Sequence, residues 1–172
     1  MDSILITSFV AIIIALIALI FSFRAIRFQI ISLLNSQLAY KARDCNSNLD
    51  SNDLSKMPIK NDKVSWIVSS IITAEEIIFY QKFHKKNVFI RVSDIQSLID
   101  HFYLQLHTTI RVFLKKEIFK EDELSDIIQY EDIKNQYFRC VKFLSCSLQK
   151  DKEYKFEEFH KYTEIINKQK CT

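Results

Sequence analysis

The sequence predicts an all-α protein: an N-terminal single transmembrane helix continuing into a cytosolic antiparallel helical bundle. Three observations carry this reading. Residues 4–23 read ILITSFVAIIIALIALIFSF, a run without a charge, Pro, Gly or Asn. The 172 residues hold no glycine and one proline, where average usage would supply about 7 % glycine. Beyond the run, apolar residues recur at three- and four-residue spacings, the signature of helices that bury one face. With almost none of the residues that hairpins and tight turns require, a sheet-rich fold is excluded.

The N-terminal run comes first. As a helix it rises roughly 30 Å, the thickness of a bilayer hydrocarbon core. Its only polar side chains are Thr7, Ser8 and Ser22, too few for the polar stripe of a soluble helix. Met1-Asp2-Ser3 is not a positive leader, and the run passes straight into Arg24-Ala25-Ile26-Arg27 without a small-x-small cleavage site. Residues 1–23 are therefore expected to be an anchor, not a cleaved signal peptide. Arg24 and Arg27 mark its inner boundary, with Lys41 and Arg43 further on. The positive-inside rule then puts the N-terminus outside and the C-terminal bulk in the cytoplasm, against the inner (plasma) membrane. Cys45, Cys140, Cys146 and Cys171 are scattered, which suits a reducing compartment. Their even number leaves two disulfides open under the opposite topology.

The rest of the chain divides into three. Residues 24–45 extend the first helix, with Ile26, Ile30, Leu33, Leu34 and Leu38 on one side. Residues 46–63 collect Asn, Ser, Asp and the only Pro and form the linker. Residues 64–172 form the bundle domain. Within it, 64–86 is expected to be a helix with Val64, Ile67, Val68, Ile71, Ile72, Ile78 and Phe79 inward. Glu75 and Glu76 leave its apolar run too short to span a bilayer. A connector at 87–92 precedes Ser93 and Gln96, a capping-box pattern that opens a third helix over 94–119. Its inward face is Ile95, Leu98, Ile99, Phe102, Leu106, Ile110 and Phe113. An acidic turn at 120–123 leads to a fourth helix over 122–149, kinked near Glu131 and Asp132, and a short last helix over 151–166.

Composition excludes much chemistry. Without glycine there is no Walker A loop, no GxGxxG fingerprint and no nucleophile elbow. The net charge of +3 with interspersed signs is no nucleic-acid footprint. Glu157 and His160 form one E-x-x-H pair, but a di-iron bundle needs two such pairs and further carboxylates. The six-residue gaps between His101 and His107 and between Cys140 and Cys146 align no metal ligands. No arginine is followed by the histidine element of the helical ribonucleases. The expectation is a protein with no cofactor and no catalytic constellation, not an enzyme.

Three features remain. Lys82, Lys85, Lys86 and Arg91 make a basic, aromatic stretch, read either as a solvated helix end or as a contact for anionic headgroups. Glu75 falls in the middle of the apolar arc of its helix, where a carboxylate must be paired or set at an interface. Lys134, which shares a face with Tyr130, Phe138 and Val141 on the fourth helix, is one candidate partner; Arg111 and Arg139 project away from their own helices' apolar faces and are poorer candidates. Finally, Ser8, Ala11, Ala15, Ala18, Ser22 and Ala25 recur at spacings of 3, 4, 3, 4 and 3. This is a helix–helix seam of small residues, and it implies self-association of the spans. Beyond Arg27 the register runs through Gln29, Ser32, Ser36 and Ala39, opposite Ile30, Leu34 and Leu38.

The expected function is a membrane-anchored interaction module, acting by self-association or by recruiting a protein partner at the cytoplasmic face. The alternative is a membrane-perturbing effector of a phage-defence or toxin system, with the bundle as its sensor. In layout the chain resembles small bacterial proteins with one span, a basic juxtamembrane segment and a helical cytosolic domain. Some of that type are linked to phage exclusion or abortive infection. The likeness is one of architecture and carries no site residue.

Overall fold

A computed structural model of the chain describes residues 2–49, 61–84, 87–115 and 131–148. Among them are five α-helices: α1 (Asp2–Ser47), α2 (Asn61–Phe79), α3 (Val92–Gln105), α4 (Thr108–Lys115) and α5 (Glu131–Leu148). The fold is all-α. A π-helical turn, Tyr80–His84, follows α2 directly. Most of the linker (50–60), the expected turn at 120–123 and the last helix at 151–166 lie outside the described residues, as do Lys85 and Lys86.

One helix organises the rest. The 46 residues of α1 reach roughly 70 Å, more than twice a hydrocarbon core. By length and composition α1 is the one described helix able to cross a membrane, and its most apolar part is not buried. Every residue from Ile6 to Ile26 is exposed. Further along, Leu34, Leu38, Ala42 and Cys45 are buried, at spacings of 4, 4 and 3 that keep them on one face. Ile30 and Ile31 pack at the edge of that core. Leu33, expected inward, is exposed: it lies one step round from Leu34, away from the domain.

The domain wraps this face. α1 packs on α2 and α3, both of these pack on α5, and α4 closes on α5. The inward face of α2 is fully buried at Val64, Ile67, Val68, Ile71 and Ile78. Two buried thiols contact adjacent carbonyls of α2: Cys45 Sγ lies 3.9 Å from the Ile67 oxygen, and Cys140 Sγ 3.5 Å from that of Val68. Tyr137 stacks edge-on against Phe113 at 5.0 Å and donates its hydroxyl to the Phe113 carbonyl at 2.9 Å. That bond satisfies the one polar atom of a buried aromatic side chain.

Three helix boundaries depart from expectation, each for a local reason. The helix expected over 94–119 breaks between α3 and α4. Asn46, at the end of α1, donates to the Gln105 carbonyl at 3.0 Å and accepts from the His107 N–H at 2.8 Å. Two of the backbone groups that the break would orphan are thereby satisfied. His107 then caps α4, its Nδ1 accepting from the Thr109 N–H at 3.2 Å. The cap of α3 is Asp94, not the Ser93–Gln96 pair: its carboxylate accepts the Arg91 N–H at 2.8 Å, and Gln96 bonds Asp100 instead. The helix expected over 64–86 leaves α geometry at Tyr80.

Candidate functional site at the base of the apolar segment

The π turn begins the construction of a loop. Its register carries into the Asn87 N–H, which donates to the Lys82 carbonyl five residues back at 3.2 Å. Asn87 turns the chain next, its side-chain oxygen accepting the Phe89 N–H at 3.0 Å. This Asx turn makes a sharp reversal without glycine. Lys82 Nζ crosses the loop and donates to the carbonyls of Ile90 and Asn87. Ile90 is buried and anchors the far side. Val88, between these fixed points, is left 82 % exposed.

The loop lies against α1 where the apolar run ends. The Phe89 ring sits 5.5 Å from that of Phe23, the last residue of the run. Four residues on, Arg27 forms a two-pronged ion pair with Asp94 of α3, Nε to Oδ2 at 3.1 Å and Nη2 to Oδ1 at 2.5 Å. Asp94 thus caps α3 and clamps α1 with the same carboxylate. Burial alone would raise its pKa, but the Arg27 hydrogen bonds, the Arg91 N–H and the charges of both arginines outweigh it and hold Asp94 below the usual carboxylate range.

Between loop and helix lies a groove of about 640 Å³, lined by Phe23, Arg24, Arg27, Phe28, Ile31, Val88, Phe89 and Arg91. Arg24 and Arg91 are exposed, and neither makes an ion pair among the described residues. Phe28 stands 74 % exposed on the opposite rim. A groove with aromatic walls and two available guanidiniums lies beside the end of the apolar helix.

The boundary arginines are thus placed differently, Arg24 open and Arg27 locked to Asp94. Of the expected headgroup contacts, Arg91 lines the groove, while the ammonium of Lys82 is turned inward to hold the loop. The small-residue seam is exposed at all six positions. At roughly 100° per residue it lies on the side of α1 opposite Arg27, Ile31, Leu34 and Leu38. The domain therefore leaves that side open. The Ser22 hydroxyl donates to the Ala18 carbonyl at 2.9 Å, so it is satisfied within the helix.

Glu75 is 1 % exposed and paired, as its position in the apolar arc requires. The partner is Arg139, not Lys134. Arg139 Nε donates to Glu75 Oε2 at 2.5 Å, and Nη2 lies 3.5 Å from Glu76 Oε1. The reason is the orientation of α5, which buries Tyr137, Cys140, Phe143 and Leu144. Phe138 and Val141, expected inward, are only partly buried. That rotation carries Arg139 into the core. Next to the pair, burial and the Glu75 charge push the Cys140 thiol well above its usual range, with Arg139 opposing. A thiol so held is a packing group and a poor nucleophile. Among the described residues no three His, Cys, Asp or Glu side chains gather as a metal site.

Sequence reasoning missed the groove because its two walls are far apart in the chain. The one local signal for it in the sequence is Asn87, an Asx-turn residue between basic and aromatic neighbours. Compared with known proteins, the chain matches no protein-family model, no curated protein and no solved structure.

Proposed function

We propose that the protein is a single-pass membrane-anchored interaction module. In this reading α1 spans the inner membrane with its N-terminus outside and presents the helical domain at the cytoplasmic face. There it acts through self-association of the spans and recruitment of a protein partner. The observation that carries the proposal is the division of α1 into an exposed, all-round apolar segment and a segment built into the domain core. No flexible tether separates the two, so an event along the span is transmitted to the domain by a continuous helix. The seam supports self-association, because the domain packs on the opposite side and would not obstruct two spans meeting along Ser8, Ala11, Ala15, Ala18, Ser22 and Ala25.

Expression in bacteria tests this directly. The protein should remain in the membrane pellet after alkaline carbonate extraction and accumulate without collapse of the membrane potential. In a membrane two-hybrid assay Ala15→Leu/Ala18→Leu should weaken the self-association signal, and Ile14→Leu/Leu19→Ile should not. Release by carbonate would refute the anchor. Collapse of the potential would replace the module with the membrane-perturbing effector. Equal two-hybrid signals would remove the seam from the account.

A further inference from the structure

We infer that the groove between α1 and the 87–91 loop binds the headgroup of an anionic phospholipid, with Val88 and Phe89 set into the interfacial layer. The inference rests on reading α1 as a membrane anchor and adds a lipid class and named contacts.

Depth is the first argument. With Phe23 ending the apolar run, Arg24 lies roughly 1.5 Å and Arg27 roughly 6 Å further along the axis. The polar layer on each side of the hydrocarbon is roughly 5–7 Å thick. Phe89 is held at the level of Phe23 by ring contact, so the loop occupies that same layer. At that level the exposed Val88, beside exposed Phe23 and Phe28, has apolar material to enter.

Charge is the second argument. The groove holds three guanidiniums, and Asp94, beside it, is engaged by Arg27 and by the Arg91 N–H. Arg24 and Arg91 are left to bond an anion, and arginine's planar fork matches phosphate oxygens. The walls distinguish a lipid from a free anion: Phe23, Phe28 and Ile31 offer nothing to inorganic phosphate, but they suit the first methylenes of an acyl chain. The site is also pre-formed. The Lys82 bridge, the Asn87 turn and the Arg27–Asp94 clamp fix the loop, so little ordering is required on binding.

The test uses the full chain in liposomes with one tryptophan moved to the loop. Trp66 is the only tryptophan, so Trp66→Phe/Val88→Trp reports on the groove alone. Dibrominated anionic lipid should quench its emission at a lower mole fraction than dibrominated neutral lipid. Adding Arg24→Gln/Arg91→Gln should raise the anionic mole fraction for half-quenching beyond the roughly five-fold that about 1 kcal/mol per juxtamembrane arginine gives for one residue. Arg24→Gln alone, at an exposed residue, should move it the same way with the thermal midpoint unchanged. Millimolar inorganic phosphate at constant ionic strength should not reverse the preference. Equal quenching by both lipids, or a preference that survives loss of both arginines, would overturn the headgroup site and leave the anchor standing. Reversal by phosphate would overturn the lipid as occupant. Absence of quenching by either lipid would overturn the placement of the loop in the interfacial layer, while carbonate extraction decides separately whether the anchor stands.

Discussion

The two halves of α1 are built from similar apolar residues and meet different surroundings. From Ile6 to Ile26 every residue is exposed, and the 87–91 loop touches this half at Phe23, near its end. From Ile30 to Cys45 one stripe is buried, while Gln29, Ser32, Ser36, Gln37 and Arg43 on the other sides are exposed. Helix formation is common to both halves, so it does not explain the difference. The placement of polar residues does. A protein partner covers one stripe and leaves the rest to water, which the second half is equipped for. An all-round apolar surface calls for apolar surroundings on every side, which in the proposed reading the bilayer supplies. The change from one surrounding to the other falls at Arg24 and Arg27, where the loop, the ion pair and the groove are gathered.

The largest effect that sharpens this contrast lies inside the domain. Glu75→Ala should destabilise it by about 3–5 kcal/mol, because Arg139 would be left charged and buried. Denaturant unfolding of the purified chain reads the change directly. Replacing both partners, as Glu75→Leu/Arg139→Met, should recover most of the loss. A small effect of the single change would show that the pair is not closed off from water.

Next comes the helix itself. Leu38→Ala, in the buried stripe, should cost about 2–5 kcal/mol of domain stability. Ile14→Ala, in the exposed half, should leave the same unfolding transition unmoved. Equal losses at both positions would erase the distinction between the halves.

Much of this contrast is legible in the sequence, and the rest is not, for physical reasons. The apolar run, the continuation of its helix, and the positions of Leu34 and Leu38 follow from composition and periodicity alone. So does the need of Glu75 for a partner, since a carboxylate within an apolar arc violates the pattern of its own helix. Features joining distant segments were hidden. Asn46 reads as the start of a linker, yet it permits the α3–α4 break by bonding the backbone on both sides of it. Arg139 reads as a surface residue because Phe138 and Val141 suggest the wrong face for α5. The groove needs Phe23 beside Phe89 and Arg27 beside Asp94, and no local pattern announces either contact.

The Arg27–Asp94 clamp gives a smaller effect, read through pH. The folded-state pKa of Asp94 is lowered, so its contribution is fully present above the ordinary value of 3.8. It is lost as pH falls through the folded value. Acid titration of thermal stability should show this loss in the wild type. Asp94→Asn, whose amide oxygen can still accept the Arg91 N–H, removes the charge; it should lower the midpoint near neutrality and flatten the acid limb. An unchanged acid limb would mean that the clamp does not hold α1 to α3 in solution.

The central claim, that one helix passes from lipid into a protein core near Arg24, is tested most directly by spin-label scanning in liposomes. Labels would be placed singly from Ser8 to Ser36 after replacing the four native cysteines. Collision with oxygen reports lipid, and collision with a water-soluble nickel complex reports water. The expected profile is high oxygen and negligible nickel access through Phe23, apart from damping along the seam. Beyond Phe28 nickel access should rise and fall with a period of 3.6 residues, lowest at Ile30, Ile31 and Leu34. A 3.6-residue nickel periodicity already present between Ser8 and Ser22 would contradict the claim, because it would place water along the half that has been assigned to lipid.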